Sequence, residues 1–165
     1  MTVDASALRS VLRSHASGVA VLTASGANGP VGVTVTSLNS VSATPALISV
    51  SLAEVSNTLA QIKDCDRFGV QLLGAHQADV AQRFAMSGID RFAPPTGWHH
   101  GAHGVPLLDD CLSWLVCSRY HQVRLGDHHL LVGAVDHVER GMPGASLVHL
   151  HGNLQPVTAL TPART

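Results

Sequence analysis

GVAVLTAS (residues 18–25) and VGVTVTSLNSVS (31–42) are the two stretches on which the fold turns. Both are rich in β-branched residues, and between them stands Asn28-Gly29, the dipeptide that best fits a tight hairpin. Outward from this pair the same texture recurs. ALISVSL (46–52) follows Pro45, FGVQLL (68–73) is a further short strand, and three runs close the chain: CLSWLVCSRYHQVRL (111–125), HHLLVGAVDHVER (128–140) and SLVHLHG (146–152). Gly126-Asp127 supplies a second hairpin turn. About seven strands, mostly hairpin-linked, predict an antiparallel barrel, closed or partly closed. The helices are few and short. Residues 6–16 carry Leu8, Val11 and Leu12 at helical spacing, with Gly18 as a stop. SNTLAQIKD (56–64) opens on Ser56 as N-cap, and HQADVAQRFAMSG (76–88) places Val80 and Phe84 on one face. Residues 93–110, rich in Pro, Gly and His, read as a long functional loop. From residue 153 the chain reads as a frayed tail. The division expected is one domain over 1–157 and a flexible C-terminal tail over 158–165.

Composition narrows the function. The chain has 165 residues, 45% hydrophobic and 13% charged, enough for a single packed core. The net charge is −1, and Lys63 is the single lysine. That balance excludes a nucleic-acid grip, which needs a concentrated basic face. The start MTVDASALRSVLRS lacks the pattern of a secretory signal, and nowhere is there the run of roughly 20 apolar residues that spans a bilayer. A cytoplasmic protein with no membrane partner is expected. Cys65, Cys111 and Cys117 are odd in number and form no CxxC pair, which suggests neither a disulfide framework nor a zinc knuckle. Eleven histidines are as many as all the acids together. His99, His100 and His103, and His149 with His151, have spacings a metal could use, but no acid or Cys stands at a helical partner position. No metal is expected, and these residues read as loop and rim histidines.

Three segments concentrate polar chemistry. On a strand, Thr34 and Thr36 share one face and Val35 and Ser37 the other. This row reads either as ordinary strand formers or as a polar lining for a ring edge or a polyol. Ser56-Asn57-Thr58 opens a helix, where free N–H groups and hydroxyls suit a phosphate, although an ordinary cap explains it as well. Gly126-Asp127-His128-His129 is a tight turn feeding a strand. It would place His128 either in solvent or at a barrel rim.

Taken in order, SGVAVLTAS, GPVGVTVTSLNSVSATPALISVSL, SNTL, FGVQLL, DVAQRF, DRF, VPLLDDCLSWLVC and GDHHLLVG resemble the short-chain flavin reductases of the FMN-binding split-barrel type. The likeness runs from about residue 8 to residue 152. It implies a mainly β fold, an antiparallel Greek-key split barrel with a few short helices. It also implies an NAD(P)H:flavin oxidoreductase that supplies reduced flavin to a partner flavin-dependent monooxygenase. The cofactors implied are FMN or FAD, with NADH or NADPH as cosubstrate. Nicotinamide would stack over the flavin face, and hydride would pass from its C4 to flavin N5. By the resemblance, Thr34, Val35, Thr36 and Ser37 contact the ring edge and ribityl chain, and Ser49, Val50 and Ser51 lie beside the ring. Ser56, Asn57 and Thr58 hold the phosphate. Arg83, Arg91 and Phe92 complete the surroundings, across a dimer or within one chain. His128 meets the pyridine nucleotide as the catalytic residue. Gln71 stands where the family usually has Asn, Leu38 where it has Phe, and Leu154 where an aromatic is frequent. Fewer aromatics imply a looser flavin, which suits a diffusing cosubstrate. A homodimer is implied, since an open-sided barrel this small buries its strand faces best by pairing. The competing reading is the same barrel holding flavin for another reaction, or without catalysis.

Overall fold

The computed structural model describes residues 3–157. Helix α1 (Ala5–Leu12) leads into β1 (Ser17–Gly18), β2 (Ala20–Gly26), β3 (Gly29–Val35), β4 (Asn39–Ala43) and β5 (Ala46–Ala53). Helix α2 (Asn57–Ile62) follows, then β6 (Arg67–Leu72), α3 (Ala78–Ala85), and the short pair β7 (Trp98–His100) and β8 (Pro106–Leu108). The long strands β9 (Ser113–Leu125) and β10 (His128–Arg140) precede β11 (Leu147–Leu150) and β12 (Asn153–Pro156).

Seven strands form one antiparallel sheet in the order β3-β2-β6-β9-β10-β5-β4. A small sheet, β1-β11-β12, lies beside it, and β7-β8 form a hairpin. β2, between β3 and β6, is buried from Ala20 through Ala24, so it shows a continuous buried run rather than an alternation. On one face Ala20, Leu22 and Ala24 join Ile48, Val50, Leu52, Phe68, Val70 and Leu131 in the main core, which Leu59 and Ile62 of α2 cover. On the other face Val21 packs with Ala81 and Phe84 of α3 and with Phe92, Leu108 and Leu147. Val105, Leu107 and Val116 form a third cluster under the β7–β8 hairpin.

Several expectations are corrected. The ladder does not close into a barrel: β3 and β4 are its two edges and are not hydrogen-bonded to each other. The reason lies in VGVTVTSLNSVS, which is not one strand. The chain leaves extended pairing after Val35 and resumes at Asn39. Across that break the Ser37 hydroxyl accepts from Ser51 N–H at 2.9 Å and donates to Ser51 O at 3.0 Å, a side-chain link in place of a ladder. The helix expected over 6–16 ends at Leu12. Arg13 O accepts from His151 N–H at 2.8 Å and the Arg13 guanidinium donates to His151 O, docking the chain on the β11–β12 turn. Residues 93–110 are not a structureless loop, since they contain β7, β8 and a 3-10 turn in which His103 takes φ 58°. The expected fraying from 153 is replaced by β12, which pairs with β11 through Leu154↔His149. The tail placed over 158–165 lies outside the described residues.

No helix among the described residues is long and apolar enough to cross a membrane. Cys65, Cys111 and Cys117 are all free. Among the described residues no group of three or more His, Cys, Asp or Glu side chains is placed to hold a metal ion.

Candidate functional site

A cavity of about 480 Å³ opens where β3, the end of β5, the start of α2 and the loop after α3 meet. That is a volume typical of small-ligand sites. Its walls include Ser56, Asn57, Thr58, Arg91 and Phe92, which the resemblance had grouped from two separate segments.

Each wall has a local cause. Ser56, extended at φ −70° and ψ 120°, caps α2: its hydroxyl accepts from Leu59 N–H at 3.3 Å. The first intrahelical bond is Ala60 N–H to Ser56 O at 3.2 Å, so the Asn57 and Thr58 amides precede it and belong to the helix's orphan donors. Thr58 is buried, and its hydroxyl accepts from Arg91 Nη1 at 3.1 Å. Gly32 brings β3 close: a Cβ there would stand 2.8 Å from the Phe84 ring of α3.

Arg91 organises the site. Nη1 donates to Gly32 O at 2.6 Å as well as to Thr58, Nε donates to Met86 O at 2.9 Å, and Nη2 also reaches Met86 O. A guanidinium has five N–H donors, so one of those on Nη2 is still free. Burial pulls the Arg91 group below its ordinary range, and among the described residues no carboxylate lies within ion-pair distance of it. A partly buried cation on a cavity wall, with no carboxylate in ion-pair reach among the described residues, suits an anion. Phe92 closes the wall behind it, edge-on to Phe84 at 5.1 Å and to Trp98 at 5.5 Å.

The other expected residues are placed differently. Arg83 does not line the cavity. It donates to Asp90 O at 2.8 Å, Arg91 O at 3.1 Å and Ala93 O at 3.1 Å, and so staples the loop that carries Arg91. Gln71 is fully buried on the sheet face opposite Val70, beneath β8. Its Nε2 donates to Thr23 Oγ1 at 3.0 Å and its Oε1 has no partner, so it is an interior residue and not a cavity one. Thr34 donates to Ala81 O at 2.6 Å, tying β3 to α3, and Ser37 is committed to Ser51. Val35 and Val50 belong to the main core, while Thr36 is exposed at the break after β3.

The β5–β10 register assembles the rest. Ser49, Ser51 and Ala53 share one face of β5, and Ala53 lines the cavity. Ala53 is directly opposite His128, and opposed residues point to the same side. The polar row of β5 and the His128 imidazole thus share the cavity's face of the sheet. Glu54 N–H donates to Asp127 O at 2.9 Å, tying the β9–β10 turn to the β5–α2 junction. Sequence reasoning missed the wall segment Ser87–Asp90. Its signal was the pair Arg83 and Arg91, placed on either side of a glycine turn.

This is an antiparallel β scaffold with an anion-ready cavity at a strand–helix junction, and the chain belongs to the flavin reductase family, an oxidoreductase class. The flavin reductase like domain matches residues 12–158. An NADH:FMN oxidoreductase of Rhodococcus qingshengii is 40% identical over 130 residues, 79% of this chain and 68% of that protein. The reductase component of a 4-nitrophenol 4-monooxygenase/4-nitrocatechol 2-monooxygenase of Rhodococcus opacus is 33% identical, covering 84% of this chain and 74% of its own length. The crystal structure of a flavin reductase domain protein from Arthrobacter sp. FB24 superimposes with a TM-score of 0.90 at 28% identity, over 96% of this chain and 99% of that one.

Proposed function

We propose that this flavin reductase passes a hydride from NADH or NADPH to FMN or FAD, and that the reduced flavin diffuses to a partner monooxygenase. The observation that carries the reading is Arg91. Among the described residues this half-buried guanidinium has one free N–H and no carboxylate partner, and it faces a cavity of about 480 Å³ beside Ser56, Asn57 and Thr58. A flavin phosphate supplies the missing charge, and a single phosphomonoester suits a wall on which Arg91 is the one basic side chain among the described residues, which favours FMN. The Rhodococcus relatives, one named for NADH and FMN and one as a monooxygenase reductase component, support the same direction.

When bound, the flavin supplies a ring whose N5 accepts the hydride, and the net reaction is NAD(P)H + flavin + H⁺ → NAD(P)⁺ + reduced flavin. The protein contributes orientation. Arg91, Thr58 and the amides of Asn57 and Thr58 hold the phosphate end, and Phe92 gives the apolar wall. Thr36, Ser49 and Ser51 would offer hydroxyls to the flavin beyond its phosphate, while Thr34 and Ser37 tie β3 and its continuation to α3 and β5, and Val35 and Val50 pack in the core. His128 offers its ring to the nicotinamide. Hydride transfer needs alignment rather than an obligatory acid or base.

The Ser37–Ser51 link between separated strand edges supports reading the sheet as the split-barrel variant. β9 pairs with β6 only over 113–118, and β10 with β5 only over 128–134, so each long strand, though paired with the other throughout, has one edge free over part of its length. Such edges and the exposed Leu8, Val11 and Leu12 of α1 support a homodimer. Three free thiols fit a reducing, cytoplasmic setting.

The test is absorbance at 340 nm. Protein stripped of flavin should oxidise NADH slowly alone and rapidly once FMN is added, with FAD and NADPH compared in parallel. Tightly held flavin without nicotinamide turnover would instead identify a flavin protein of another activity.

A further inference from the structure

We propose that Asp127 is a positioning residue: through one hydrogen bond it fixes the tautomer and ring orientation that His128 presents to the nicotinamide. The inference rests on the reading of His128 given above and adds a residue to which that reading assigns no role.

The geometry is local and held on both sides. Leu125 and His128 are paired across a two-residue turn, and Gly126 at φ 62° with Asp127 at negative φ matches the II′ hairpin, whose first central position takes glycine. The Asp127 carbonyl is tied to Glu54 N–H, so the turn cannot swing independently of the β5–α2 junction. From this turn Asp127 Oδ1 stands 2.7 Å from His128 Nδ1. The bond to His128, then the imidazole's charge, and to a smaller degree Arg9 of α1, hold the Asp127 carboxyl below the usual carboxylate range. It is therefore ionised at neutral pH and can only accept. The proton between the two groups belongs to Nδ1, so that whenever the ring is neutral Nε2 is a bare acceptor.

The next residue shows that this state is chosen rather than generic. His129 Nδ1 lies 3.1 Å from Gln122 Nε2, an amide donor, so there Nδ1 accepts and the proton resides on Nε2. Two adjacent histidines are set to opposite tautomers by one carboxylate and one amide. Only His128 lies opposite Ala53 of the cavity wall. A bare Nε2 matches an N–H donor, and the carboxamide NH₂ of a nicotinamide is one; the other tautomer would set two donors against each other.

The experiment compares Asp127→Asn, His128→Ala and the double variant, using the intact chain with FMN and NADH. Asp127→Asn offers Nδ1 an amide donor and so favours the wrong tautomer while preserving shape. The expected result is a roughly two- to five-fold rise in KM for NADH, the scale of an exposed charged contact, with kcat and FMN affinity unchanged. Long-range ¹H–¹⁵N spectra, with His128 assigned by its loss in His128→Ala, should show the proton on Nδ1 in the parent and moved toward Nε2 in Asp127→Asn. The double variant should match His128→Ala alone. An unshifted tautomer, or a KM effect of Asp127→Asn that persists without His128, overturns the proposal. If His128→Ala leaves KM for NADH unchanged, the reading of His128 fails instead, and the tautomer shift still reports on Asp127 by itself.

Discussion

Replacing Arg91 by Met keeps the length of the stem and deletes the guanidinium. Three acceptors lose their donor: Gly32 O, Thr58 Oγ1 and Met86 O, now at 2.6, 3.1 and 2.9 Å. At about 1 kcal/mol net for each bond of a partly exposed group, the fold loses about 3 kcal/mol. For a chain of this size that lowers Tm by roughly 6–12 °C. Arg83→Met is the matched control, because it also surrenders three carbonyls, at 2.8, 3.1 and 3.1 Å. The two variants should therefore be similarly destabilised and differ in ligand binding. Arg91 lines the cavity and Arg83 does not. Loss of a charge-assisted contact to phosphate should weaken FMN binding on the order of 10- to 100-fold in Arg91→Met. Arg83→Met keeps the cation and only loosens the loop that carries it, so its loss should be smaller, on the order of five-fold. Quenching of flavin fluorescence, titrated well below either Tm, measures both constants. Equal loss of affinity in the two variants, or none in Arg91→Met, would refute the assignment of Arg91 as the anion's partner.

Other outcomes follow from the same structure. In Gly32→Ala the new methyl meets Phe84 at 2.8 Å and Leu22 O at 3.1 Å. The cost should be about 1–3 kcal/mol by thermal unfolding, and Phe84→Leu should recover part of it. Gln71→Met removes a buried amide whose Oε1 is orphaned, while Thr23 keeps its bond to Pro106 O at 2.5 Å. Stability should change by less than about 1 kcal/mol, with FMN affinity within two-fold; a large drop in affinity would restore Gln71 to the site. Burial pushes the Cys111 thiol up to about 11 and the Cys117 thiol up to about 12, from 9.0. Well below pH 9 both thiols are protonated in the folded and the unfolded chain. Above it the unfolded chain releases protons that the folded chain keeps, so stability falls as pH climbs toward 12. Urea midpoints between pH 8 and 10.5 should decline less steeply in Cys117→Ala than in the parent, and parallel slopes would count against this origin.

What could be read from residues alone was what is local. Ser56 as cap and β10 over 128–140 follow from side-chain chemistry and β-branched runs, and both are seen. The hydroxyl cluster Ser56-Asn57-Thr58 marks a polar site by its own chemistry, whereas Arg91 and Phe92, which meet it at one cavity, followed only from the family resemblance. The misses are non-local. Nothing near Gln71 shows that its strand face lies beneath β8, and nothing near Arg83 shows that its donors turn to its own loop. WHH and PLL are too short and too interrupted by Gly and Pro to signal a hairpin, which depends on Val105 and Leu107 packing over Val116. The break at 36–38 depends likewise on a partner, Ser51, fourteen residues further on.

The loop around Arg91 is fastened by guanidinium-to-carbonyl bonds, by the Thr58 and Thr96 hydroxyls and by backbone N–H bonds to Asp90, and among the described residues no carboxylate lies in ion-pair reach of Arg83 or Arg91. Mobile ions screen charge pairs far more than they weaken such short dipolar contacts. Ionic strength therefore separates the two duties of these arginines. Added salt leaves the binding pocket assembled and loosens only its hold on an anion, so a salt jump becomes a means of emptying the site without unfolding it.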